Sequence, residues 1–249
     1  MSSEEENTTT SGENHIEGLA EEREQAPLSE SSTKIDFSLV EEVARFAAKG
    51  FQGLFDAALR THARARTNRV PGNSPGVSIG FTGCQSQAGT TSAIIHAGIY
   101  AAIERDLKTI LVDANFRSPR LSQTFGQATA SGLSDCLMDS AKLETSIYKT
   151  EISKLSLLPS GGQSLKSQPN LSASFQGLLQ EIASIADVIV LDLSNAGGQV
   201  IQLFGPACDQ VILVANPFLN PPGKIRSAKN RLKGHNIQAS GLFLNHHRV

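Results

Sequence analysis

Val77-Ser78-Ile79-Gly80-Phe81-Thr82-Gly83-Cys84-Gln85-Ser86-Gln87-Ala88-Gly89-Thr90-Thr91 is the stretch whose reading decides the fold. It begins as an apolar strand and runs into a glycine-bearing turn followed by helix-forming residues. The pattern is close to G-x-x-x-x-G-K-[ST], in which backbone N–H groups cradle phosphates, lysine reaches the outer oxygens and the hydroxyl ligates Mg²⁺. Gly89 and Thr91 stand at two of those places. Thr90 occupies the lysine position, and Cys84 falls where the first glycine belongs, with Gly83 just before it. The stretch therefore has a phosphate-binding scaffold without the charge that phosphoryl transfer draws on.

Downstream, strands and helices alternate. Strands are expected at 77–82, Thr109–Asp113, Leu155–Leu158, Val188–Asp192, Val211–Ala215 and Gly241–Leu244. Helices are expected near 90–105, 132–138, 143–150, 171–184, 199–204 and 222–233. The strands are continuous apolar runs rather than alternating ones, which fits a parallel sheet covered on both faces. This predicts a doubly wound, mostly parallel α/β fold over 77–249, with ligands at the carboxyl ends of the strands. Two such strands end in acids, at Asp113 and Asp192. Paired strand-end carboxylates beside a phosphate loop suit Mg²⁺ held through one or two carboxylates and water, although a strand-end Asp also commonly caps the next turn.

Upstream, nine glutamates between Glu4 and Glu30 face only Arg23 and Lys34, which predicts a disordered acidic tail over 1–34. Residues 35–76 read as a helical segment and linker: Phe37, Val40, Phe46, Phe51, Phe55 and Leu59 recur at helical spacing, and Pro71-Gly72-Asn73-Ser74-Pro75-Gly76 closes the segment. The net charge of −2 gives no global field for nucleic acid. No apolar run approaches the ~20 residues of a membrane span, and no signal-peptide pattern opens the chain. A cytoplasmic protein is expected, at the inner face of the membrane only through a partner. Cys84, Cys136 and Cys208 are widely spaced and read as reduced thiols. Cys84 reads either as a reactive loop thiol or as a small residue filling a turn. His246-His247 lacks a third metal ligand at useful spacing, and Lys224, Arg226, Lys229, Arg231 and Lys233 give the last helix a basic face, solvated or partner-binding.

From about Leu54 onward the chain resembles the cytoplasmic domain of bacterial tyrosine kinases, the autokinase and co-polymerase family of capsule and exopolysaccharide export. That family is related to the deviant P-loop ATPases of the Min and Par type. Ile110–Pro119 resembles its Walker A′ motif, and Val188–Asp192 its Walker B strand. Leu121–Gly126 and Gly132–Leu137 resemble its H-x-x-F-G and G-L-S-D-x-L signatures. Leu157–Gly162 with Pro169-Asn170 resembles its L-P-x-G…P-N segment, and Gly241–Asn245 its closing L-N. The resemblance implies ATP or ADP with Mg²⁺ at Gly83, Gln87, Ala88, Gly89, Thr90, Thr91, Ser92 and Arg117. It implies metal contacts from Thr91, Asp113 and Asp192, with the two acids as catalytic candidates if turnover occurs.

The departures cluster on catalysis. Thr90 replaces the Walker lysine, Gln85 the signature lysine of the Min and Par relatives, and Asn115 the second Walker A′ aspartate, whose proton-accepting part an amide cannot play. Leu193 stands where Thr or Ser is usual, and the ring-forming E-x-x-R-x-x-R helix keeps only Arg60, with Leu54 and Ala57 at the other places. The tyrosine-rich tail is missing from His246-His247-Arg248-Val249. One hydrogen bond to a charged group contributes about 1.5–3 kcal/mol, so the change at Thr90 predicts reduced nucleotide affinity. Lys108 and Lys49 are alternative sources of a cation. The expected function is a catalytically impaired, kinase-like partner or regulator of exopolysaccharide or capsule polymerisation. Its expected partner is a chain-length-regulator-type inner-membrane protein, with homo-oligomers open and no nucleic acid. The alternatives are an active tyrosine autokinase or ATPase with an unconventional site, and a Min- or Par-like positioning ATPase.

Overall fold

The computed structural model describes residues 52–53, 55–60, 76–162 and 170–245. The acidic tail, most of the 35–76 segment, Lys49, Pro169 and His246-His247 lie outside them. A short helix, α1 (55–60), precedes the sheet. The chain then runs β1 (Val77–Gly83), α2 (Thr90–Ile99, extended by a π turn over Tyr100–Glu104), β2 (Thr109–Asp113), α3 (Arg120–Thr124), α4 (Leu133–Met138) and α5 (Leu143–Ser146). Next come β3 (Tyr148–Lys149), β4 (Leu155–Leu158), α6 (Leu171–Ile185), β5 (Val188–Asn195), α7 (Gln199–Phe204), β6 (Gln210–Ala215), α8 (Pro222–Gly234) and β7 (Gly241–Leu244).

The strands form one sheet of order β3-β4-β2-β5-β1-β6-β7. Every pairing is parallel except β3 with β4. Alternation along each strand divides the core into two layers. In β5, Val188 and Val190 join Ile79, Phe81, Leu111, Leu155 and Ile212 beneath α1 and α2. Ile189 and Leu191 join Ile110, Val112, Leu158, Val211 and Leu213 beneath α4, α6, α7 and α8. Both faces are thus apolar, which is why the strands read as unbroken hydrophobic runs.

Two expectations are corrected. The helix read over 143–150 stops at Ser146, and Tyr148–Lys149 pairs antiparallel with β4 instead. A two-residue edge strand fixed by long-range pairing leaves no local period to read. The short helix α3 was not foreseen, because Pro119 and the turn before it conceal its start. Phe55 on α1 packs edge-on to Tyr100 with ring centroids 5.9 Å apart. Below it, Asp56 accepts hydrogen bonds from the Tyr100 hydroxyl (3.1 Å) and from Arg105 Nε (3.0 Å), which ties α1 to the end of α2.

Two of the sequence signatures prove to be halves of one contact. Leu133 N donates to Pro159 O (2.7 Å) and Ser134 N to Ser160 O (2.9 Å), so the G-L-S-D turn docks on the L-P-S-G turn at the end of β4. Gly132 lies so close that a Cβ there would sit 2.2 Å from Pro159 O and 2.5 Å from Gly161 N. Asp135 seals the joint by accepting from Gly132 N at 2.9 Å. These residues brace the carboxyl edge of the sheet.

Candidate functional site

At that edge β1 passes through residues 84–89 into α2. Gly89 is the N-cap with φ 82°, and Gln87 takes a left-handed φ of 64°. These two bends turn the chain sharply enough to aim the first amides of a ten-residue helix outward. Such a terminus favours anions through its unpaired N–H groups and the helix dipole. A Cβ at Gly89 would collide with the Asn245 amide, whose Nδ2 donates to Ala88 O at 3.4 Å, so the end of β7 clamps the loop from outside. The hydroxyl of Thr90 folds back against the loop: a Cβ on Gly83 would lie 2.8 Å from its Oγ1.

The loop opens on a cleft of about 710 Å³, a size that suits a small-molecule ligand. Of the residues predicted to hold nucleotide, Gln87, Ala88, Gly89, Thr90, Thr91, Ser92 and Arg117 line it, whereas Gly83 ends β1 behind them. Asp192 lines it as well; Asp113 does not. The opposite lip carries Asn115, Arg117, Ser118 and Arg120, with Arg117 and Arg120 exposed. Arg120, Ser194, Asn195, Asn216 and Asn245 are lining residues that motif reading missed. Only the fold brings their segments to one edge. Among the described residues, the lining has arginines but no lysine.

The two strand-end acids face each other in register across β2 and β5. Both are buried, at 0 % exposure for Asp113 and 1 % for Asp192, but they are held differently. Asp113 accepts from Asn115 N (3.0 Å), Ser122 N (2.8 Å) and Ser122 Oγ (2.8 Å), so both its oxygens are occupied in closing the turn into α3. Burial still raises its pKa against those bonds. Asp192 accepts from Ser194 N at 2.9 Å and only distantly, at 3.4 Å, from Thr91 Oγ1. Desolvation first and the Asp113 charge second push its carboxyl up to about 7. A half-satisfied buried carboxylate next to a threonine hydroxyl is a donor set that a hard divalent cation relieves. The chemistry of Thr91 and Asp192 suits a hard divalent cation, whereas both oxygens of Asp113 are engaged in the turn.

Asn115, Leu193 and Cys84 have packing roles. Asn115 Oδ1 accepts from Ser118 N at 3.3 Å, closing the turn after β2. Leu193 is fully buried and reaches under Gly80, where a Cβ would meet its Cδ1 at 2.3 Å. Cys84 is buried, and desolvation lifts its thiol to about 11, which favours the turn-filling reading over the reactive one. Lys108 sits at the opposite end of the sheet, where its backbone N–H donates to Asp187 Oδ2 at 2.8 Å. It cannot serve the cleft. Lys224 on α8 does reach the loop, donating to Gln85 Oε1 at 3.1 Å.

Fold and cleft together define a P-loop NTPase-like α/β domain. The chain is similar in sequence to proteins named bacterial tyrosine kinases and to a polysaccharide transport protein. It is 30 % identical over 145 residues to the tyrosine-protein kinase CpsD of Streptococcus agalactiae, covering 55 % of this chain and 62 % of that protein. It is 28 % identical over 143 residues to the succinoglycan biosynthesis transport protein ExoP of Rhizobium meliloti, covering 55 % of this chain and 18 % of ExoP. The chain thus spans less than two thirds of the length of these relatives. Among solved structures, the kinase domain of Escherichia coli tyrosine kinase ETK superposes with a TM-score of 0.66 at 19 % identity, covering 86 % of this chain and 81 % of that one. The septum site-determining protein MinD from Pyrococcus horikoshii, complexed with Mg-ADP, gives 0.55 at 23 % identity, covering 68 % and 70 %. No family model matches the chain. Among the described residues, no helix is long and apolar enough to cross a membrane.

Proposed function

We propose that the chain is a nucleotide-responsive, catalytically impaired relative of the bacterial tyrosine kinases, a cytoplasmic partner or regulator in exopolysaccharide or capsule polymerisation and export. The observation that carries this reading is the cleft itself. It keeps the helix N-terminus, the Thr91 hydroxyl and the buried Asp192, while Thr90 turns a short hydroxyl onto the loop where an ammonium group would meet the terminal phosphate. Loop amides and helix dipole suffice to attract a di- or triphosphate. A bound Mg²⁺ would supply charge neutralisation for the phosphates. Thr91 and Asp192 would orient its water shell, and Arg117 would approach from the opposite lip. Phosphoryl transfer depends mainly on stabilising charge that develops in the transition state, and Thr90 contributes none. The polysaccharide role rests on the relatives named above, and it would place the domain against the cytoplasmic side of a chain-length-regulator-type membrane protein.

Calorimetric titration with ATP and ADP, with and without Mg²⁺, tests the nucleotide, and radiolabel transfer to tyrosine tests the chemistry. The expected result is weak Mg-dependent binding with negligible transfer, and a Thr90→Lys variant that binds ATP about tenfold or more tightly. Tyrosine phosphorylation by the unaltered protein at rates typical of kinases, on the order of 1 per second or faster, would overturn the impairment.

The second reading is an active kinase with an unconventional site. It is favoured by the retained Thr91–Asp192 contact beside Asp113 and by homologues named tyrosine kinases. Under it, Asp192→Ala abolishes a measurable turnover; under the first reading there is no turnover to lose.

A further inference from the structure

Helix α8 carries five cations, Lys224, Arg226, Lys229, Arg231 and Lys233, and no acidic residue. Two of them, seven residues apart and so on one face of the helix, are turned onto the first two residues of the loop. Arg231 Nη2 donates to Cys84 O at 3.3 Å, while Lys224 Nζ donates to Gln85 Oε1 at 3.1 Å. The far end of the Gln85 carboxamide donates from Nε2 to Leu219 O at 3.3 Å. That bond fixes the amide so that its oxygen, not its nitrogen, faces the ammonium group. The helix cannot drift away, because Ala228 and Leu232 are fully buried beneath it. Gln85 lines the cleft.

A plain brace between helix and loop would need no charge. An exposed ammonium on a flexible four-carbon stem, resting on one neutral acceptor, is instead a point charge free to change partner. A phosphate oxygen is a stronger acceptor than an amide, since charge on both sides roughly doubles a hydrogen bond. We propose that Lys224 supplies a second phosphate-binding cation beside Arg117, moving from Gln85 to the ligand and adding to its binding from α8 without taking the place in transfer that residue 90 leaves open. The inference rests on the reading above that the cleft takes a nucleoside di- or triphosphate. Arg231 acts as a positioning residue that holds the loop toward the helix.

Titration with Mg-ADP and, separately, inorganic tripolyphosphate tests it on the full chain. Lys224→Ala and Lys224→Met are expected to weaken both ligands about tenfold and to flatten the salt dependence of binding. The Met variant keeps the stem, so a loss shared by both variants belongs to the charge. Lys224→Arg should retain most of the affinity, and Lys229→Ala, on the exposed side of the same helix, should leave it unchanged. If the unaltered protein binds and the Ala and Met variants match it within about twofold, the assignment of Lys224 fails while the nucleotide reading stands. If the unaltered protein binds neither ligand, the nucleotide reading fails first and this inference falls with it.

Discussion

Asp192→Asn isolates the buried charge at the centre of the cleft. The native carboxyl titrates near 7 rather than at the ordinary 3.8, chiefly because it is desolvated and secondarily because Asp113 faces it. Between those two values the folded protein holds a proton that the unfolded chain has released, so stability falls as pH rises through that window. Above it the full penalty applies. A rise from 3.8 to about 7 sets a ceiling of about 4 kcal/mol. Asparagine keeps an oxygen for Ser194 N and carries no charge at any pH. Allowing for imperfect replacement of the Thr91 contact, a gain of about 2 kcal/mol is expected near pH 8.5, or about 4–8 °C in Tm for a domain of this size. Near pH 5 the native carboxyl is already neutral in the fold, and the gain should largely vanish. Thermal melts in EDTA at the two pH values read the difference directly. A Tm shift of equal size at both, or a variant less stable at the alkaline value, would refute the account of a strained buried anion. Adding Mg²⁺ at the alkaline value should raise the unaltered protein more than the variant, because only the former has the charge to hold the cation.

Two further outcomes follow from packing and burial. Gly132→Ala places a methyl against the backbone of Pro159 and Gly161, which cannot rotate aside, and should destabilise by about 3 kcal/mol in denaturant titration; a loss below about 1 kcal/mol would mean the two turns separate freely. The thiols of the buried Cys84, at about 11, and Cys136 are raised chiefly by burial, and Cys208, a half-buried residue whose sulfur faces Phe204 O, is raised to about 12 chiefly by desolvation. Alkylation of the native protein near pH 8 should therefore run about a hundredfold or more below the rate in denaturant. A single fast-reacting cysteine in the native state would contradict that.

The sheet was legible because burial on both faces leaves a signature that needs no partner information: Val188–Leu191 is apolar at every position whichever neighbour it pairs with. The loop was legible because Gly89 must adopt a conformation that glycine tolerates best, and the sequence puts glycine there. What escaped depends on long-range placement. Tyr148–Lys149 is a strand only because β4 lies beside it. The two acids looked equivalent as strand ends, yet Ser122, nine residues past Asp113, saturates one of them while Asp192 is left half-satisfied. Lys224 was visible as one charge in a basic helix, with nothing local to show that Gln85, 139 residues earlier, lay under it. Asn115 and Leu193 read as losses of polar chemistry, and the structure adds that each fills a defined place in the turn or the core.

The clamp of Asn245 on the loop has a consequence for biosynthesis. Residues 88 and 245 are 157 positions apart, and the amide that touches Ala88 is positioned by β7, whose own end is tied to Ala215. A nascent polypeptide still threaded through the ribosome short of residue 241 would carry the loop sequence but lack the strand that holds it in shape. The shape of the loop is thus complete only once residue 245 has been made and folded, and a product clipped before β7 is expected to carry the loop unclamped.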